Sequence, residues 1–450
     1  MASASNPFKQ IVALRRNEWP LALLLFGYFF LVITTFWILK PIKKTVFIEF
    51  YADSGFELMG SVFTASQAEL LAKVLNMFVA LVAATAFSIM SDKLRRQQLT
   101  LAFSAVIFAG FVLYIFLLGS LSDVVVWSFY LFGDLYNTLM VATFFAFVND
   151  SLRAEAAKRM YGVIGLGGVV GGAVGSTFVR TQIDAISYPG WMVVCLVLGV
   201  VIVGLAVAAG RIVSAQEAEN PPPPPPPSSE KKEAPKGNAA IEGARLVLRS
   251  PYLLSLVALV GIYEIISTIL DFQFTATIEH YASTAGLDAG KAFATTYSVT
   301  NWTALFIQFF LTSLVMQRFG VGIALLFLPV AALSGSVGFL VAPIVLMGGA
   351  LSASDNAFNY SINQSAREAL YTVTSREEKY KAKAFIDMFI QRSAKAVAVG
   401  INLLITSIVV GFEGVRWLSF LTIPLLIVWI LIVRYLGKSF RERERAQAES

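Results

Sequence analysis

Apolar residues run along this chain in nearly continuous blocks of about twenty, the length of a helix that crosses a ~30 Å hydrocarbon core at 1.5 Å per residue. Twelve blocks are legible, at 20–39, 68–90, 99–119, 124–148, 163–179, 191–209, 253–270, 293–315, 321–341, 344–362, 384–410 and 415–433. The pattern predicts an all-α membrane protein of twelve transmembrane helices. They fall into two sets of six, because residues 211–245 between spans six and seven contain seven consecutive prolines, Pro221 to Pro227, among charged residues. Such a stretch cannot bury a core. It is expected as a cytoplasmic spacer, with an extended ligand for a partner domain as the other reading. The expected domains are an N-terminal six-helix half, 1–210, the linker, 211–245, and a C-terminal six-helix half with a basic tail, 246–450.

Polar positions that interrupt the apolar blocks carry the chemistry, since an ion in hydrocarbon is costly and turns toward a wet or polar interior. In span eleven Lys383, Asp387, Gln391 and Lys395 recur every fourth residue, with Arg392 beside them. Span one ends in Trp37, Lys40, Pro41, Lys43 and Lys44. Lysines at an outward helix end run against the positive-inside trend, so they either meet an anion or snorkel to headgroups. If the helix continues past Pro41, Trp37, Lys40 and Lys44 share a face. In span seven Glu264, Ser267, Thr268 and Asp271 also share one. Glu264 is there a gate salt-bridge partner or a coupling site. Asp134 and Asn137 in span four, and Asp355, Asn356, Asn359 and Asn363 in span ten, contact substrate or hold helices together. Glu69 and Lys73, four apart, satisfy one another.

The two halves repeat. Ile38-Leu39-Lys40 followed by Ile48-Glu49-Phe50-Tyr51-Ala52 returns as Ile269-Leu270-Asp271 followed by Ile278-Glu279-His280-Tyr281-Ala282, and Asn149-Asp150-Ser151-Leu152-Arg153 returns as Asn363-Gln364-Ser365-Ala366-Arg367. Parallel six-span repeats describe the major facilitator architecture, whose substrate site is expected near the bilayer midplane between the halves. The glycines Gly162, Gly165, Gly167, Gly168, Gly171, Gly172 and Gly175 of span five follow no strand, so they read as a helix-packing stripe rather than a phosphate loop.

Composition and charge mainly exclude alternatives. Of 450 residues 57% are hydrophobic and 14% charged, with a mean hydropathy of +0.70, which no water-soluble fold could hide. A net charge of +6 would point a soluble chain toward nucleic acid. Here the basic residues sit in alternate loops, among them Lys93, Arg95, Arg153, Lys158, Arg367 and Lys381, and in the tail from Arg434 to Arg445, which predicts cytoplasmic termini and no nucleic-acid partner. No cleavage site follows the first apolar run, so a multi-pass protein of a bacterial inner membrane is expected. One cysteine, Cys195, and one histidine, His280, leave no disulfide or metal cluster, and no Walker A sequence or nucleophile motif is present. Neither an enzyme nor a cofactor is expected; the oligomeric state stays open, with a monomer sufficient.

Two segments are more specific. Phe147-Val148-Asn149-Asp150 continues through Glu155-Ala156-Ala157-Lys158-Arg159-Met160-Tyr161, and Arg367-Glu368-Ala369-Leu370-Tyr371 leads into Lys381-Ala382-Lys383-Ala384-Phe385-Ile386-Asp387 and Arg392-Ser393-Ala394-Lys395. In these the chain resembles the ATP/ADP antiporter family, the nucleotide transporters of plastids and intracellular bacteria. Lys40-Pro41-Ile42-Lys43 and Tyr263-Glu264 fall where that family has a functional lysine and glutamate; Pro41 and Lys44 depart from its acidic residues. The resemblance implies an alternating-access carrier of an organic anion, foremost a nucleotide. Lys40, Lys43, Arg392 and Lys395 would bind phosphate, Trp37 or Tyr263 would stack on a base, and Asp134, Glu264 and Asp387 would hold the cations of the empty site. Arg153, Glu155, Lys158, Arg367 and Glu368 would form salt bridges that gate the cytoplasmic side. A proton-coupled exporter, and a non-transporting scaffold or lipid scramblase, are the other readings.

Overall fold

Long helices make up nearly all of the computed structural model, which describes residues 14–219 and 239–449 except 92, 95, 153, 376 and 377. The proline run and Arg153 lie outside the described residues, as does the side chain of Lys158. Ten of the described helices are long and apolar enough to cross a membrane, and each contains one of the sequence blocks in whole or in large part, several running more than ten residues beyond it. Expected spans ten and eleven are the two that are not among them. Both are rich in polar residues and both change helical pitch along their length, as described below.

The chain divides into two compact units, one of Met1–Pro222 with Ala282–Leu305, the other of Pro223–Tyr281 with Phe306–Ser450. In the first unit, α1 (Trp19–Tyr51) is followed by a hairpin of β1 (Phe56–Leu58) and β2 (Ser61–Phe63), then by α2 (Ala65–Ser91), α3 (Arg96–Leu117), α4 (Asp123–Ser151), α5 (Ala154–Gln182) and α6 (Tyr188–Glu219). The chain reverses between the strands at Met59 and Gly60, both at positive φ.

Helix α1 continues twelve residues beyond its expected end at Leu39, straight through Pro41. An interior proline costs a helix about 3 kcal/mol. Lys43 and Lys44, downstream of it, reach Asp134 and Glu69 on this helical course.

The glycine stripe packs α5 onto α1. A Cβ at Gly167, Gly171 or Gly175 would lie 2.5, 2.4 or 2.6 Å from the carbonyl oxygens of Phe26, Phe30 and Thr34, so only glycine allows the two backbones to approach this closely. Thr34 donates its hydroxyl to the Gly171 carbonyl at 3.2 Å across the same contact.

The second unit opens with α7 (Ala239–Arg249), an amphipathic helix that begins inside the stretch expected as linker, and continues with α8 (Pro251–Ala285). After α9 (Ala289–Phe306), most of which groups with the first unit, a π-helical turn at Ile307–Thr312 leads into α10 (Ser313–Phe319), α11 (Val321–Ala324) and α12 (Phe327–Val341). Expected span ten consists of α13 (Val345–Phe358), a π turn at Asn359–Asn363 and α14 (Gln364–Leu370). Span eleven consists of a π turn at Glu378–Ala382, α15 (Lys383–Phe385), a second π turn at Ile386–Ile390 and α16 (Gln391–Ile408), and α17 (Phe412–Glu449) closes the chain. Among the described residues, all four π turns lie in the second unit.

The repeat is visible in the contacts. Tyr51 at the end of α1 donates its hydroxyl to Asp123, the first residue of α4, at 2.5 Å. Its counterpart Tyr281 in α8 donates to the carbonyl of Pro343, just before α13, at 3.4 Å.

Candidate functional site

Three lysines of α1 turn inward, and each finds a different environment. The ammonium of Lys43, 4% exposed, pairs with Asp134 of α4 and sits 4.1 Å above the ring of Tyr130. Gly133 makes room for it, since a Cβ there would stand 2.7 Å from the lysine's Cδ. Lys44 reaches Glu69 of α2 at 3.4 Å, and Glu69 also holds Lys73 at 2.9 Å and accepts the Tyr130 hydroxyl at 2.6 Å. Lys40 lies between two rings, 4.5 Å from Trp37 and 4.8 Å from Tyr297 of α9. These lysines are held by carboxylates and aromatic faces inside the helix bundle, which removes the headgroup reading for Lys43 and Lys44. Asn137, half-buried, follows Asp134 by three residues on α4.

Trp37 is itself only 5% exposed, packed against Phe36 and Tyr297. Tyr263 of α8 is 7% exposed and packed against Trp429. Neither aromatic expected to stack on a base presents an open face. Tyr360, in the π turn of span ten, is 45% exposed, and its hydroxyl lies within electrostatic reach of Asp355, Asp271 and Glu264. Its α-helical spacing from Asp355 does not place it on the polar face; the wider pitch of the π turn does.

In the second unit the Glu264 carboxylate, buried on α8, lies 3.4 Å from the ammonium of Lys395 on α16. Ser267 donates to Asp355 at 2.7 Å, tying α8 to α13. Asp271 is half-buried, and Asn363 donates to Asn359 at 3.2 Å.

The four-residue stripe of span eleven does not persist as one face. Lys383 hydrogen-bonds both oxygens of Glu368, at 2.7 and 2.6 Å, while Lys395 faces Glu264. The π turn at Ile386–Ile390 between them inserts a wider i→i+5 turn, which rotates everything beyond it relative to an ideal 3.6-residue helix. Asp387, half-buried, faces Arg367, Lys383 and Glu368 instead of bridging Lys383 and Lys395. Arg392 is half-buried a turn before Lys395.

Of the expected gating residues, Arg367 and Glu368 lie within electrostatic reach of Asp387 in the second unit, and Glu368 accepts from Lys383. Glu155 is exposed at the start of α5. The neighbouring Arg159 carries the strongest contact of that motif, a paired hydrogen bond to Glu18 at the entrance to α1, 3.1 Å from its Nε. Those bonds hold the Glu18 carboxyl below its ordinary value against the opposing effect of burial.

A family model described as the TLC ATP/ADP transporter matches residues 5–345. ADP,ATP carrier protein 1 of Chlamydia muridarum is 23% identical over 361 residues, covering 71% of this chain and 67% of its own length. The chloroplastic ADP,ATP carrier protein 1 of Arabidopsis thaliana is 23% identical over 303 residues, 60% of this chain and 47%, about half, of its own. Among solved structures, a bacterial homologue of the human lysosomal transporter Spinster, inward-facing and unoccupied, aligns over 96% of this chain and 99% of its own, with a TM-score of 0.59 at 13% identity. The POT family transporter PepTSo aligns over 93% and 98%, with a TM-score of 0.60 at 11% identity. At those identities the likeness is one of fold, and the fold is of major facilitator type.

Proposed function

From the membership of this chain in the TLC ATP/ADP transporter family we propose that it exchanges nucleotides, of the ATP and ADP kind, across a membrane by alternating access. The observation that carries the reading is the concentration of cations on α1, where Lys40, Lys43 and Lys44 occupy little more than one turn. An anion with several charged oxygens can satisfy such a set; a neutral solute cannot.

Three of the cations hold a carboxylate where phosphate would bind. Asp134 serves Lys43, Glu69 serves Lys44, and Glu264 serves Lys395. The phosphates of a nucleotide would displace Asp134 and Glu69 from their lysines within the first unit, and their departure would restore the pairs. The chain's residues move no bond, so the reaction is binding and release only. Exchange follows if the empty carrier, its internal pairs closed, reorients slowly and the loaded one quickly. The two repeats, 1–210 and 246–450, would move as halves of a twelve-span carrier in a bacterial inner membrane, both termini cytoplasmic.

Thermal-shift titration of the detergent-purified protein tests the substrate class. ATP and ADP are expected to raise the melting temperature in a saturable way, as RT ln(1 + [L]/Kd) requires, while adenosine does not. Stabilisation by neutral sugars or cationic drugs instead would remove the nucleotide reading.

A further inference from the structure

Glu69 is the most completely enclosed carboxylate among the described residues of the first unit, 0% exposed, and three groups from three helices converge on it. Lys44 comes from α1, Lys73 from its own helix α2, and the Tyr130 hydroxyl from α4, at 3.4, 2.9 and 2.6 Å. The same Tyr130 offers its ring face to Lys43, whose ion pair is with Asp134. One tyrosine therefore joins the two ion pairs into a single network of Lys43, Lys44 and Lys73 against Asp134 and Glu69.

The two carboxylates differ in what they can do when an anion takes their lysines. Asp134 is 25% exposed and can turn to water. Glu69 has no water to turn to, and a buried carboxylate stripped of its partners is strongly unfavourable. It has spare partners instead: if Lys44 leaves, Lys73 and the Tyr130 hydroxyl remain.

We propose that Glu69 is the internal competitor of the substrate's phosphate, a positioning residue that holds Lys44 in the empty carrier, releases it to an incoming phosphate oxygen while Lys73 and Tyr130 keep it neutralised, and draws Lys44 back to expel the product. The proposal rests on the nucleotide reading of the site for its biological substrate. Its electrostatic content applies to any polyphosphate.

The consequence is a pair of opposite effects from two members of one ion pair. Glu69→Gln removes the competitor, so anions bind more tightly and leave more slowly. Lys73→Gln removes the spare partner, so Glu69 clings to Lys44 and anions bind more weakly. A role confined to stability would move both variants the same way.

The test uses the full-length protein in proteoliposomes for KM and turnover with ATP, and in detergent for the Kd of inorganic pyrophosphate. Glu69→Gln is expected to lower KM and pyrophosphate Kd by about tenfold, the scale of one charge-assisted contact, with turnover falling. Lys73→Gln is expected to raise both constants by a similar factor. Tyr130→Phe, which keeps the ring under Lys43 and removes only the hydroxyl on Glu69, is expected to raise them by a smaller factor, and it serves if Glu69→Gln does not reach the membrane. Unchanged constants, or a rise in Kd in Glu69→Gln, would overturn the proposal; with Tyr130→Phe alone, unchanged or lowered constants would do so. If the wild type binds pyrophosphate in the expected order of variants but exchanges no nucleotide, the competitor role stands and the substrate assignment is what fails.

Discussion

The Glu264 carboxylate and the Lys395 ammonium lie 3.4 Å apart, the first 9% exposed at its side chain and the second 51%. The pair is asymmetric. The carboxylate cannot find water without the protein moving, whereas the lysine already reaches it. Lys395→Gln strands a buried charge and is expected to lower the melting temperature as well as substrate affinity, at a cost below the roughly 3–5 kcal/mol of a fully dry pair. Glu264→Gln releases a lysine that water can accommodate, so the protein should melt close to wild type while exchange falls. Calorimetry on both variants beside transport rates checks this. Equal melting losses would mean the two groups are equally buried in the working protein.

On the first unit, Lys43→Gln is expected to weaken nucleotide affinity by about 1–3 kcal/mol with expression intact, because a charge-assisted contact to phosphate is lost while the amide still hydrogen-bonds Asp134. Gly133→Ala reaches the same lysine sterically, by placing a methyl 2.7 Å from its Cδ. It should weaken affinity in the same direction. Titration of ATP against the two variants and wild type decides the point, and wild-type affinity in both would take Lys43 out of the site.

Close packing of α5 on α1 gives a purely structural expectation. Gly171→Val puts a branched side chain where a Cβ would already be 2.4 Å from the Phe30 carbonyl, so the helices must separate along their shared length. Lower yield and a lower melting temperature are expected, whereas Gly165→Val, where a Cβ meets nothing within 4 Å, should be tolerated. Comparable losses in both would indicate that the glycines act through helix propensity alone.

The Glu18–Arg159 link adds an acid-side dependence. Its carboxyl titrates below the ordinary value in the folded protein, so its stabilisation is fully present above the unfolded value of about 4.3 and is lost as pH falls through the lower folded value. The melting-temperature difference between wild type and Glu18→Gln should be constant from pH 7 to about 5 and shrink toward zero as the pH falls below that unfolded value. A difference that does not change with pH would mean the carboxyl is not held below its ordinary value.

Much of this was legible in the order of residues. The apolar blocks placed the membrane helices because burial in lipid demands length and little else. The glycines at every fourth position of α5 announced a close helix contact before its partner, α1, was known. The two halves could be matched through Tyr51 and Tyr281, which indeed bind the start of equivalent helices. Three things were not legible, each for a physical reason. Pro41 reads locally as a stop, and the partners that Lys43 and Lys44 reach beyond it, Asp134 and Glu69, are distant in the chain. The span-eleven stripe assumed 3.6 residues per turn, and π turns, which no side-chain period announces, send Lys383 and Lys395 to different carboxylates. Tyr130 lies one turn before Asp134 inside an apolar run, so its double role as cation platform and hydroxyl donor appears only when α1, α2 and α4 are brought together.

The most direct test of the central claim is counter-exchange. Proteoliposomes of the purified full-length chain are loaded with ADP or left empty, and uptake of labelled ATP is followed with and without a pH gradient. Exchange predicts rapid, saturable uptake that requires internal nucleotide and is indifferent to the gradient. Uptake that ignores internal ADP and follows the proton gradient would contradict it.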